Sequence, residues 1–86
     1  MSQRNVVVYS ADYCPFCQRA KALLAARGIE FELIDVEAKP EKRAEMMQRS
    51  GQRTIPQVFV GDHHVGGCDQ LMAADRSGEL SRLLGA

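Results

Sequence analysis

The sequence predicts an α/β domain, a small four-stranded mixed sheet flanked by helices. Two features of its order point there. A strand–helix–strand segment opens the chain, and such a unit requires parallel pairing with a right-handed crossover. Further on, two strand-like runs are separated only by Gly61-Asp62, which requires an antiparallel hairpin. Length sets the scale: 86 residues allow one domain, assigned to residues 1–86. A chain of this size buries only somewhat above ~60% of its unfolded surface, so its core must be compact.

The elements follow in order. Asn5–Ser10 is a short β-branched run without a polar break, as expected for a strand buried on both faces. Pro15 to Arg27 reads as a helix: Pro15 suits the first helical position, Ala20, Leu23, Leu24 and Arg27 continue a 3.6-residue stripe, and Gly28 supplies the stop. Glu30–Val36 alternates as a second strand. Pro40 opens a helix through Ser50, with Ala44 and Met47 expected inward and Gly51 as its end. Ile55-Pro56 interrupts before a third strand, Gln57–Val60, and His63–Gly66 pairs back as a fourth. A helical pattern runs from Cys68 to Asp75, breaks around Ser77-Gly78, and resumes with Leu80, Leu83 and Leu84.

Composition narrows the function classes. Eleven Lys and Arg balance eleven Asp and Glu. That balance argues against a nucleic-acid binder, which carries a basic excess or stripe. No apolar run approaches the ~20 residues that span a bilayer. Val6-Val7-Val8-Tyr9 is too short for a signal-peptide core. The expectation is a cytoplasmic chain with no membrane partner.

Three cysteines are present, and an odd count does not suit a disulfide-stapled secreted domain. Cys14 and Cys17 form one C-x-x-C pair, while Cys68 stands alone after Gly66-Gly67. Structural zinc normally needs four ligands, commonly from two such pairs, so a metal site is not favoured. A lone C-x-x-C in a reducing compartment reads first as redox chemistry. Placed between a strand end and a helix start, the pair brings both sulfurs to one side of the first turn. The free N–H groups and dipole of that helix end favour a thiolate at Cys14, the attacking species in exchange. Cys17, one turn further in and more buried, suits the resolving role. At the other end of the chain, Gly66-Gly67 permits close backbone approach, and the helix that follows can receive an anion at its N-terminus. The plain alternative there is a turn with Asp69 as a cap.

Tyr13-Cys14-Pro15-Phe16-Cys17, Thr54-Ile55-Pro56 and Gly66-Gly67-Cys68-Asp69 occur at an order and spacing that resemble the glutaredoxin family, nearly end to end. The chain is most similar to small bacterial dithiol glutaredoxins. The resemblance implies a thioredoxin-like fold, glutathione as co-substrate, and no tightly bound cofactor. It implies that Ile55-Pro56 is cis and that the Ile55 backbone pairs with the cysteine backbone of glutathione as an added strand does. It also places the γ-glutamyl carboxylate on the amides of Cys68, Asp69 or Gln70. Tyr13, Phe16, Arg43, Thr54, Ile55, Pro56, Gly67, Cys68, Asp69 and Gln70 are thereby the expected glutathione-binding residues.

The chain departs from the family pattern at three places. Gln70 stands where many relatives carry a second Asp, so recognition of the glutathione amine shifts to Asp69 or weakens. Ala11 stands where relatives often have Lys three residues before the nucleophile. Arg43 is then the remaining cationic candidate for the glycine carboxylate, with a solvated helix charge as its alternative. Phe16 keeps the ring of the commoner tyrosine without its hydroxyl. Cys68 reads as a small buried residue or incidental thiol, His63 and His64 as exposed and structural. Met46, Met47 and Met72 read as helix packing. Arg19, Lys21, Arg27 and Arg49 read as helix surface charge.

By this resemblance the chain is a glutathione-dependent thiol–disulfide oxidoreductase and a monomer. Its expected substrates are glutathionylated or disulfide-containing proteins, ribonucleotide reductase among the family's examples, with glutathione reductase and NADPH behind the glutathione pool. Two other readings stay open at this level. Some relatives carry an iron–sulfur cluster between two subunits, but these usually have serine in place of Cys17 and glycine in place of Pro15. Alternatively, thioredoxin reductase, rather than glutathione, supplies the electrons.

Overall fold

The structure is a computed structural model and describes residues 5–85; the ends of the 1–86 assignment lie outside the described residues. It contains strands β1 (Val6–Ser10), β2 (Glu32–Asp35), β3 (Gln57–Val60) and β4 (His63–Gly66). Its helices are α1 (Pro15–Ala26), α2 (Pro40–Ser50), α3 (Cys68–Ser77) and α4 (Glu79–Leu84). The sheet order is β2-β1-β3-β4. β1 and β2 run parallel, whereas β1/β3 and β3/β4 are antiparallel. This is the mixed sheet expected from the βαβ unit and the hairpin, and the thioredoxin-like fold.

β1 is buried along its whole length because both its faces are covered. Its period of two sends Val6 and Val8 to one side and Val7 and Tyr9 to the other. On the first side they join Ala20 and Leu24 of α1, Val58 and Val60 of β3, Leu71 of α3 and Leu80, Leu83 and Leu84 of α4. Burying a side chain such as Leu24 contributes about 1.5–3 kcal/mol. On the second side a smaller cluster unites Val7, Tyr9, Val36, Met46 and Phe59 under α2.

Helix α1 ends where Gly28 adopts φ +70°. Ile29 N–H reaches back to Leu24 C=O at 2.9 Å and Gly28 N–H to Ala25 C=O at 3.0 Å, a Schellman ending whose hydrophobic partner Ile29 joins the core.

Some expected details differ. Asn5 lies outside β1, although its carbonyl still accepts the Gly61 N–H at 2.7 Å. β2 is shorter than Glu30–Val36, spanning Glu32–Asp35, although the Val36 N–H just beyond it still donates to the Ser10 carbonyl at 2.9 Å. Ala44 and Met47 do not face inward: both are exposed, and Met46 is the buried residue of α2. With one covered stripe on a mostly polar helix, the face is set by what Tyr9 and Phe59 present below it, which selects Met46 together with Glu45 and Arg49. Among the described residues, no helix is long and apolar enough to cross a membrane.

Candidate active site

Cys14 is the N-cap of α1, in extended conformation, directly after a turn in which its N–H meets Ala11 C=O at 3.3 Å. Pro15 occupies the first helical turn, and no side chain caps this end. The first-turn N–H groups therefore remain available to an anionic sulfur. Tyr13 and Phe16 flank the cysteine as exposed rings, and the Arg19 guanidinium lies 5.7 Å from the centroid of Phe16.

Cys14, Cys17 and Cys68 are free thiols. Cys14 is partly exposed, while Cys17 is fully buried and within hydrogen-bonding reach of Cys14. Burial, with the neighbouring Cys14, pushes the Cys17 thiol up to about 11, although a backbone hydrogen bond at Ala11 acts the other way. Cys17 is thus a protonated thiol at neutral pH, waiting behind the exposed one. Cys68 is also pushed up, first by burial and then by Asp69.

The Ile55–Pro56 peptide bond is cis. Cys14 Sγ lies 3.9 Å from the Ile55 carbonyl oxygen. Beside this contact runs a shallow groove of about 270 Å³, lined by Phe16, Thr54, Ile55, Pro56, Gly67, Cys68, Asp69 and Gln70. Its far wall is the start of α3, where Gly67 is the N-cap and Gln70 Oε1 accepts the Gly67 N–H at 3.0 Å. Gln70, not Asp69, is therefore the side chain that folds back on this helix end. One of its acceptor positions is occupied by the backbone, and its stem covers Gly66.

Of the residues assigned to glutathione from sequence, all but Tyr13 and Arg43 line this groove. Tyr13 is exposed beside Cys14. Arg43 is paired with Glu37 at 3.0 Å and donates to the Arg53 carbonyl at 3.4 Å, which sets it behind the Thr54 end. Among the described residues, no cluster of His, Cys, Asp or Glu is grouped to hold a metal ion. A larger depression between α1 and α3, about 480 Å³ beside Leu23 and Met72, contains no thiol.

The sequence reading missed a set of residues behind the groove. Arg49 is not a plain surface charge: its guanidinium sits 4.0 Å over the Phe59 ring and donates to the Tyr9 hydroxyl at 2.9 Å. Tyr9 in turn donates to Glu45. Burial raises the Tyr9 hydroxyl above its ordinary range, and the Tyr9 bond lowers Glu45. His64 is half-buried, stacked on Phe59 at 4.8 Å and 2.6 Å from Gln57 Oε1. Arg27, read as surface charge, forms a two-pronged pair with Asp75 at 2.7 and 2.9 Å. The available signal was Gln57, a polar residue leading an otherwise apolar strand.

The comparisons with known proteins agree with this arrangement. The glutaredoxin family model matches residues 6–65. A glutaredoxin of Pseudomonas aeruginosa is 48% identical over 81 residues, covering 94% of this chain and 96% of the relative. Glutaredoxin 3 of Escherichia coli K12 is 46% identical over 80 residues, covering 93% and 96%. Among solved structures, glutaredoxin from Brucella melitensis matches at TM-score 0.85 and 54% identity, covering 98% of this chain and 91% of that one. A buckwheat glutaredoxin–glutathione complex matches at TM-score 0.86 and 36% identity, covering 95% and 77%. An exposed thiol at a helix start, a buried thiol behind it and a cis-proline groove alongside thus sit in a chain that belongs to the glutaredoxin family of thiol oxidoreductases.

Proposed function

We propose that this chain reduces glutathione mixed disulfides and protein disulfides through Cys14 and Cys17, with glutathione as co-substrate. Cys14 thiolate attacks the glutathione sulfur of a mixed disulfide, forming a Cys14–glutathione disulfide and releasing the protein thiolate, which takes up a proton. A second glutathione thiolate then attacks the glutathione sulfur on Cys14, yielding glutathione disulfide and free Cys14. Alternatively Cys17, once deprotonated, attacks Cys14 Sγ, expels glutathione and leaves a Cys14–Cys17 disulfide, which two glutathione molecules reduce.

The observation that carries this reading is the Cys14–Ile55 contact at the mouth of the groove. Glutathione laid there has its sulfur beside Cys14, its peptide backbone along Ile55, and its γ-glutamyl carboxylate at the start of α3. The solved buckwheat relative is a glutathione complex, which supports that occupant. Asp69 and Gln70 are the groups at hand for the amine, and Arg43 acts from behind the Thr54 end. On this reading residues 1–86 act as one monomeric domain in the cytoplasm, without nucleic acid, membrane or bound metal. The glutathione pool is restored by glutathione reductase with NADPH. Ribonucleotide reductase belongs among the disulfide substrates to try.

The test is turnover of the mixed disulfide of glutathione and 2-mercaptoethanol. Cys14→Ser abolishes it and Cys17→Ser retains much of it. The opposite pattern overturns the role assignment.

A further inference from the structure

The Thr54–Ile55 backbone needs a reason to stay where Cys14 meets it, because Thr54 itself is exposed. That reason lies in Gln57, which pairs with Tyr9 in the sheet and is 1% exposed. Its side-chain Nε2 donates to the Thr54 carbonyl at 2.9 Å and to Thr54 Oγ1 at 3.1 Å. Both amide protons are thus committed to one residue of the groove wall. Its Oε1 faces His64 Nε2 at 2.6 Å. An amide oxygen only accepts, so the proton of that pair belongs to His64 Nε2. The Thr54 carbonyl only accepts, so the amide nitrogen is the end that faces Thr54, and the His64 Nε2–H holds the opposite end of the amide in place. His64 is itself held flat on Phe59, over which Arg49 also lies.

We propose that Gln57 is a positioning residue for the thiol exchange reaction, holding the Thr54–Ile55 backbone against Cys14, and that His64 orients the Gln57 amide to do so. This rests on the glutathione reading above and adds to it a part of the protein that touches neither thiol nor glutathione. The chemistry stays with Cys14; what Gln57 supplies is a pre-set edge along Ile55 to which the peptide backbone of the substrate binds.

The experiment compares Gln57→Leu with the double variant Gln57→Leu/His64→Phe in turnover of the glutathione–2-mercaptoethanol mixed disulfide, alongside thermal unfolding. The single variant leaves the half-buried His64 donor without its Gln57 partner, whereas the double variant replaces both partners by apolar groups, an exchange that is nearly neutral for stability. In both, KM for the mixed disulfide rises about tenfold with kcat within about twofold, a change worth about 1.4 kcal/mol. A KM that stays raised while the double variant regains Tm supports positioning. A KM that returns to the unsubstituted value together with Tm overturns it, leaving Gln57 a structural residue. If the double variant does not fold, His64→Phe alone decides: a KM raised about threefold supports the inference and an unchanged one overturns it. Absence of turnover in the unsubstituted protein overturns the glutathione reading, and the inference falls with it.

Discussion

Cys14 Sγ and the carbonyl oxygen of Ile55 lie 3.9 Å apart although 41 residues separate them in sequence. Each side of that contact is held by its own framework. The turn from Ala11 to Cys14 hangs from the end of β1, and the Thr54–Ile55 segment is tied to Gln57 at the head of β3. Because β1 and β3 are neighbours in the sheet, with Tyr9 opposite Gln57, the two frameworks share one rigid support. The Cys14 sulfur is therefore placed by strand ends, with the exposed rings of Tyr13 and Phe16 beside it.

The difference in exposure between the Cys14 and Cys17 thiols predicts their order of alkylation. Cys17 is fully buried and pushed up to about 11, so at pH 7 it is protonated and shielded. Iodoacetamide at neutral pH labels Cys14 at least about tenfold faster than Cys17, because the thiolate is the nucleophile and access is required. Mass spectrometry of the labelled peptides checks this; equal rates would contradict the assignment of Cys17 as the interior thiol.

The Tyr9 hydroxyl joins Glu45 and Arg49 across the α2–sheet contact. Tyr9→Phe keeps the ring on Phe59, whose centroid is 5.8 Å away, and removes only the hydroxyl. The expected loss is about 1–2 kcal/mol, the worth of hydrogen bonds to charged groups less what water returns at this half-open edge. For a domain of this size the Tm falls by several degrees. An unchanged Tm would mean that α2 is held by Met46 and Val36 alone.

His64 gives stability a pH dependence of definite sign. Burial first, then His63 and Arg49, hold its folded-state value below the ordinary 6.5. The unfolded chain consequently binds a proton more readily than the folded one as pH falls below 6.5. Stability contributed by neutral His64 is complete above that value and is lost on going down toward the folded-state value. Urea unfolding at a series of pH values should show this decline, and His64→Phe should flatten it. A decline of the same size in His64→Phe would assign the effect to other groups.

How legible these features are depends on how local their causes are. The strands, the helices and their glycine stops follow from neighbours in sequence, which is why α2 spans the expected Pro40–Ser50 and the hairpin turns at Gly61-Asp62. The groove was readable from recurring motifs, since Thr54-Ile55-Pro56 and Gly66-Gly67-Cys68-Asp69 name its walls. What escaped is decided at long range. Arg49 carries a full charge, and nothing near it in sequence reveals that Tyr9 and Phe59 wait beneath it. The inward face of α2 slipped by one residue, from Met47 to Met46, because a short polar helix has too few apolar residues to fix its phase. Gln70 was read for its lost charge, whereas its position over Gly66 depends on backbone angles that composition does not contain.

Gly66 and Gly28 make a controlled pair for testing that last point. Both have positive φ, at +123° and +70°. A Cβ at Gly28 meets nothing within 4 Å, so Gly28→Ala carries only the conformational cost of a left-handed residue, about 1 kcal/mol. A Cβ at Gly66 would lie 2.8 Å from Gln70 Cβ and 2.9 Å from its Cγ, the stem of the side chain rather than its free end. Gly66→Ala must therefore displace Gln70, break its bond to the Gly67 N–H and open the α3 wall of the groove. The larger fall in Tm is expected for Gly66→Ala, with a KM for the mixed disulfide raised about threefold or more, while Gly28→Ala lowers Tm and leaves KM alone. Equal losses of Tm with KM unchanged in both would show that the packing of Gln70 over Gly66 does not shape the groove.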